Sequence, residues 1–253
     1  VQTLSLFSWG ITGFVIILAR YVLLAGLASW WLDGRPAAAD AGAGPAARRR
    51  PSAESVRDDI RLSVQSAAVF AVATAGLLHL RSLGLTRLYS QPGEYGWWYL
   101  GVSYLLVLIL QDVFFYATHR LCHHPALFAR MHRGHHRSGQ PTPWTSFAFD
   151  PPEAALQALF LVLIVVTLPL HLITLLAVLT TMTLWAIVTH LGVSPLPAWV
   201  PHPWLGRWLI GPAHHGIHHR RTDRHFGLYF TFWDWLLMTQ DPLTAKTPRK
   251  PGA

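Results

Sequence analysis

From Leu4 to Leu32 the chain is apolar apart from a single charge, Arg20, and no other feature narrows its possible folds as far. A helix needs about 20 residues to cross the ~30 Å hydrocarbon core of a bilayer. In lipid every backbone N–H and C=O needs an internal partner, so such a run has to be helical. Further apolar runs follow at Leu62–Leu80, Trp97–Tyr116, Pro152–Leu168 and Leu170–His190. The last two adjoin at Pro169 and read either as two spans or as a hairpin that barely crosses. Composition agrees, with 52% hydrophobic and only 13% charged residues, where soluble domains carry roughly 25% charge. The expected fold class is therefore all-α, an integral membrane helical bundle of four to five spans. Arg20 is expected to snorkel or to pair with a neighbouring helix. Val1 is not an initiator, so the natural chain is expected to begin earlier. The first run lacks a basic leader and a small-residue cleavage site, which makes it an anchor rather than a signal peptide.

Between the first two runs lies an Ala-, Gly- and Pro-rich stretch, Asp33–Ser55, that reads as a flexible loop. Its Arg48-Arg49-Arg50 cluster is a cytoplasmic topology signal. The net charge of +8 lies mainly at the ends of apolar runs and needs no nucleic-acid partner to explain it. With that loop inside and the extreme N-terminus outside, the third run returns to the cytoplasm and the hairpin leaves and comes back at His190. Arginine far outnumbers lysine, and with abundant Ala, Pro and Gly this suggests a GC-rich bacterial genome and an inner-membrane location. The single cysteine, Cys122, excludes an internal disulfide. The chain reads as one membrane domain over 1–253. Its N-terminal spans and loop occupy 1–96, a histidine-rich catalytic region 97–241, and a tail 242–253.

Histidine is concentrated where the topology brings chain segments to one membrane face. The stretch "HRLCHHPALFARMHRGHH" runs from His119 to His136, and "HHGIHH" from His214 to His219. Asp112, Tyr116, His119 and His123 share one helical face by their spacing. His132, His135 and His136 stand at i, i+3 and i+4, and His215, His218 and His219 repeat that pattern, so each group is expected to present two or three imidazoles to a common point. Packing does not reward clustered imidazoles, because each ring brings a donor and an acceptor that need partners. Neutral imidazole is instead a ligand for Zn, Fe, Cu or Ni. Isolated histidines such as His79, His171 and His202 read as surface or capping residues. Eight or nine ligands exceed the four that one zinc takes. The H-E-x-x-H of zinc peptidases and the E-x-x-H of soluble di-iron bundles are both missing. A histidine-dominated dinuclear site, most plausibly iron, is what remains.

The run "DVFFYATHRLCHH", followed by "HRGHH" and by "HHGIHH" ahead of "FGLYFTFWDWLLMT", resembles the fatty acid hydroxylase/sterol desaturase superfamily of integral-membrane di-iron oxygenases. The likeness covers about Tyr99–Asp241. It implies a small helical membrane domain with a cytoplasmic histidine-rich cap that holds two irons and uses O2 and two electrons to hydroxylate or desaturate a lipid. The implied metal ligands are His119, His123, His132, His135, His136, His190, His215, His218 and His219, with His124 and His214 as adjacent alternatives. Asp112 and Asp234 are expected just outside the metal, accepting the second N–H of ligand rings. Two departures stand out. "FDPPE" has Asp150 where many relatives place histidine, leaving the parts played by Asp150 and Glu153 open. "WDWLLMT" lacks the glycine of the commoner W-D-x-x-F-G-T.

An unactivated C–H bond offers no handle to acid–base attack, so such a reaction falls to the cofactor while the protein supplies placement and exclusion of water. The implied partners are a lipid substrate and a separate electron donor, either cytochrome b5-like, a ferredoxin or a reductase. A membrane metal transporter and a non-catalytic lipid-binding relative are the competing readings. Transport sites tend to lie near the midplane on broken helices, whereas these histidines follow the spans.

Overall fold

The computed structural model describes residues 4–33, 52–192 and 206–241. Four helices are long and apolar enough to cross a membrane: α1 (Leu4–Asp33), α2 (Ala53–Ser82), α3 (Trp97–Cys122) and α6 (Leu172–Thr189). Between them in sequence lie the short α4 (Pro125–Met131) and α5 (Pro151–Thr167), the latter apolar but only 17 residues long. Two cap helices, α7 (Pro212–Arg220) and α8 (Phe232–Leu236), complete the described elements.

α2 and α3 are longer than the apolar runs that announce them. α2 begins at Ala53 rather than Leu62, because Ser52 caps it by accepting from Ser55 N (3.1 Å) and Glu54 sits in the first turn. Ser52–Ser55, expected as loop, is therefore a helix start, while the Arg48–Arg50 cluster lies outside the described residues. α3 likewise continues past Tyr116 to Cys122, which carries His119 on the same helix.

Connectivity gathers the functional segments at one end. The far end holds the exposed Trp97 and Trp98 and a two-residue parallel pairing of β1 (Leu88–Tyr89) with β2 (Leu170–His171), a small exception to an otherwise helical architecture. His171 acts there as the N-cap of α6, accepting from Ile173 N (3.0 Å). The near end holds the C-termini of α3 and α6, the N-terminus of α5, and the cap. α1 and α2 pack through small residues: Ala67, Ala71 and Ala75 are buried at four-residue spacing opposite Gly10 and Gly13. A second core of Val107, Phe160, Val165, Leu170 and Val178 joins α3, α5 and α6.

The near-end halves of α1 and α2 hold the cap. Tyr21 donates to the Trp144 carbonyl (2.8 Å) and Ser66 to that of Phe149 (2.8 Å). The buried Asp59 carboxylate accepts from Ser138 Oγ (2.8 Å) and Thr145 Oγ1 (2.7 Å). Arg20, one residue from Tyr21, thus stands level with the cap, which accounts for a charge within an otherwise apolar helix.

Candidate metal centre

Nine histidines converge beneath the cap in two groups whose ligand atoms each lie within 4.8 Å of one another. The first holds His119, His123, His132, His136 and His218; the second holds His135, His190, His215 and His219. His119 and His123 come from the end of α3, His190 from the residue that ends α6, and His215, His218 and His219 from α7. His132 closes α4, and His135 and His136 occupy the 3-10 turn that follows. The groups abut, with the His132 and His135 rings stacked at 5.1 Å and those of His136 and His219 tilted at 4.7 Å.

Two imidazoles of each H-x-x-H-H motif meet at a common point, as the spacing implies, and the third turns to the other group. His132 and His136 face the first group while His135 faces the second; His215 and His219 face the second while His218 faces the first. At His132–His136 the division follows the turn from the end of α4 into the 3-10 helix, and in α7 it follows helical geometry. Residues at i+4 lie about 40° past a full turn from i and residues at i+3 about 60° short of one, so the two diverge around the axis. Each motif therefore straddles both groups.

Ring orientation is set by the nitrogens that point outward. Nδ1 of His119 donates to the Phe226 carbonyl (3.0 Å), of His218 to Arg224 (2.7 Å), and of His135 to Ala148 (3.1 Å). Nδ1 of His190 donates to Ala186 (2.7 Å) and of His219 to Ser138 (2.9 Å). A carbonyl only accepts, so each of these Nδ1 atoms carries the ring's proton, and each Nε2 turns inward as a bare lone pair. Those Nε2 atoms meet other imidazole nitrogens: His119 with His132 at 3.0 Å, His218 with His123 and with His136 at 3.1 Å, and His215 with His190 at 2.9 Å and His219 at 3.1 Å. Lone pairs outnumber protons here. Burial also keeps the rings from charging, pushing the pKa down to about 4 at His135, about 3 at His190 and about 2 at His136, and well down at His215, His218 and His219. Neutral, converging Nε2 donors fit a metal cation in each group, and imidazole suits iron as well as zinc or copper.

The residues around the ligands differ from sequence expectation. Asp112 Oδ1 accepts from the backbone N–H of Tyr229 (2.6 Å) and of Phe230 (3.3 Å). Asp234 accepts from Phe226 N (2.8 Å), Gly227 N (3.0 Å) and Thr239 Oγ1 (2.7 Å). Their hydrogen bonds go to the 226–239 loop rather than to an imidazole, and Asp234 reaches His119 only through the Phe226 peptide. The carboxylate that does meet a ligand is Glu153, in the first turn of α5, whose Oε2 accepts from His132 Nδ1 at 2.6 Å with both side chains buried. An acidic residue three positions after a helix cap, at the end of an apolar run facing the cap, is the signal that sequence reading left open. Asp150 accepts from Gly134 N (2.7 Å) and so holds the turn bearing His135; a Cβ at position 134 would strike its carboxylate.

The adjacent histidines have other duties. His124 caps α4, accepting from Ala126 N (3.3 Å), while His123 enters the first group. His214 accepts from Gly211 N (3.2 Å) and lies beside His225. Met238, at the position of the missing glycine, has φ +59°, so the backbone there keeps the left-handed conformation that glycine would adopt freely.

Comparison with known proteins follows the same stretch of chain. The family model described as "Fatty acid hydroxylase" matches residues 104–239. Human lathosterol oxidase is 34% identical over 181 residues, covering 71% of this chain and 59% of its own. A Delta(7)-sterol 5(6)-desaturase of Gibberella zeae is 31% identical over 184 residues, covering 71% and 55%. One from Schizosaccharomyces pombe is 32% identical over 155 residues, covering 60% and 48%. The chain thus spans about half the length of these relatives. No solved structure matches it.

Proposed function

Because the chain belongs to the fatty acid hydroxylase family, we propose that it is a membrane di-iron oxygenase that hydroxylates or desaturates a lipid. A sterol-like lipid stands first among the substrates, given the names of the relatives it matches. The observation that carries this reading is the pair of abutting, buried histidine groups at the end of four apolar helices. His119, His123, His132, His136 and His218 would hold one iron, and His135, His190, His215 and His219 the other.

Iron held there would activate O2, the oxidant, for an unactivated C–H bond that acid–base groups cannot attack. In hydroxylation, O2, two electrons and two protons convert C–H to C–OH with release of one water. The protein's part is placement. The carbonyls of Phe226, Arg224, Ala148, Ala186 and Ser138 hold the ligand rings in one tautomer. Burial keeps those rings neutral and bulk water away. The exposed apolar faces of α3 and α6 beneath the cap give a lipid chain a route towards the site without entering water. Electrons come from a separate donor of the cytochrome b5-like, ferredoxin or reductase class, and the metal centre faces the cytoplasm.

Protein purified anaerobically from iron-replete cells should carry about two irons per chain, as two ligand groups with open positions require. Lipids of an expressing strain should contain an oxidised species that a His135→Ala strain lacks. Stoichiometric zinc together with activity that survives iron chelation would overturn the iron assignment. Identical lipid profiles in the two strains would overturn the oxygenase.

A further inference from the structure

α8 and the residues after it form an apolar outcrop on the cap. Phe232, Leu236 and Leu237 are exposed, Trp235 is 59% exposed and Met238 82%, with Trp208 beside them. Single exposed apolar residues need no explanation, whereas a contiguous group of six marks a contact surface.

The outcrop is rigidly built. Asp234 is fully buried beneath it and fastens Phe226, Gly227 and Thr239, while the Asp234 carbonyl accepts from Thr239 N (2.8 Å) and Gln240 N (3.1 Å). Arg224 donates to the Met238 carbonyl (3.3 Å). Met238 holds a left-handed backbone, which an L side chain rarely adopts, and displays its side chain outward.

Its height relative to the spans identifies the occupant. Tyr116 of α3 bonds Thr239 (2.9 Å) and packs on Trp233, so the outcrop lies level with the last turns of that helix. The exposed face of α3 is apolar from Val102 through Val113 and meets its first cation at Arg120. The outcrop falls between these two. From Trp98, exposed at the far end, to Tyr116 the helical rise is roughly 27 Å at about 1.5 Å per residue, close to the ~30 Å of a hydrocarbon core. Two aromatic belts one core apart mark the two faces of a bilayer. Arg120, which donates to Tyr116 Oη (3.4 Å), and Arg207, which lies over the Trp208 ring (5.4 Å), are exposed beside the outcrop. A rigid apolar projection at the membrane boundary, rimmed by cations, has the chemistry of an interfacial anchor.

We propose that Phe232–Met238 is a hook embedded in the lipid leaflet on the metal centre's side, seated at the boundary between headgroups and acyl chains. His119 lies one helical turn beyond Tyr116, about 4.5 Å by the same rise, so the hook sets the metal centre just above the hydrocarbon. The proposal rests on reading α1, α2, α3 and α6 as spans and is independent of the chemistry at the histidines.

The test uses the full chain in liposomes, with cysteine introduced singly at Trp235, Leu236, Leu237 or Met238 and labelled with bimane. Cys122 is fully buried, and the unsubstituted chain measures any labelling of it. Val102→Cys, on the exposed mid-face of α3, serves as the deep reference, and Asp223→Cys, on the exposed cap surface, as the aqueous one. Hook labels should be quenched several-fold more by phosphatidylcholine brominated near the headgroup than by aqueous iodide. The label at 102 should respond to deep bromines, and that at 223 to iodide alone. Iodide quenching at the hook equal to that at 223 would overturn the proposal. So would protection from both quenchers, which would mean that protein, such as a second copy of the chain, covers the surface. Four labelling positions ensure that one misfolded variant does not decide the result.

Discussion

The two histidine groups are built from the same motifs but anchored differently, and the difference predicts two unequal metals. In the second group every outward nitrogen with an acceptor meets a neutral backbone carbonyl: Ala148, Ala186 or Ser138. The first group has five rings instead of four, and one of them, His132, donates to the buried carboxylate of Glu153. Burial pushes the Glu153 carboxyl well above its ordinary range, and a cation held by His132 would draw it back to the carboxylate. In that state its hydrogen bond is charge-assisted, roughly twice as strong as a neutral one, and it raises the basicity of the ring. The first group is therefore the more electron-rich site and should hold its metal more tightly. Two copies of H-x-x-H-H do not make a symmetric centre when the surrounding acceptors differ.

Removing one ligand from each group is the strongest way to break the comparison. His218→Ala and His215→Ala should each abolish turnover, and metal analysis should find about one ion lost per chain, since a ligand set missing one member no longer closes around its ion. If either variant loses both metals, the groups act as one cooperative unit and the comparison fails. Glu153→Gln sharpens it. The amide keeps the shape but removes the charge, so metal affinity or activity should fall about 10- to 100-fold. In iron-57 protein the two Mössbauer doublets should move closer together, which a purely structural role for Glu153 would not produce. The contrasting change is at Asp112, whose partners are backbone N–H groups. Asp112→Asn should leave metal content intact because an amide oxygen still accepts, and Asp112→Ala should cost about 1–3 kcal/mol of stability by leaving buried donors unpaired. A 10- to 100-fold loss of metal affinity in Asp112→Asn would instead put Asp112 in the ligand support that Glu153 supplies. The smallest effect belongs to the loop beneath His119. Met238→Gly should unfold at higher denaturant concentration than Met238→Ala, by about 1 kcal/mol, because glycine alone relaxes the positive φ.

Much of this was legible in the sequence, for physical reasons that do not depend on tertiary contacts. Lipid leaves an apolar run no structure but a helix or a closed barrel, so Leu4–Leu32 and Trp97–Tyr116 declared themselves. The helix ends were less visible. The polar first turns of α2, from Ala53, project beyond the apolar stretch and are held by Ser52 and by contacts with the cap, neither of which hydropathy registers.

What the sequence by itself determined is the supply of ligands and their delivery to one face. The i and i+4 spacing pairs His119 with His123, and the parity of the spans brings His190 back to the same end as the boxes. What only the tertiary structure decided is how those rings are divided and who supports them. The i and i+3 rings of one motif diverge around their axis, and which neighbour each finds depends on how α7 docks against α3 and α6. Asp112 and Asp234 had the right chemistry and the right neighbourhood, but the backbone N–H groups of Phe226, Gly227, Tyr229 and Phe230 take their hydrogen bonds. Glu153 lies 21 residues from His132 in the chain and meets it because α5 starts under the cap. A hydrogen bond is a matter of tenths of an ångström, and chain spacing sets such distances only along a single helix.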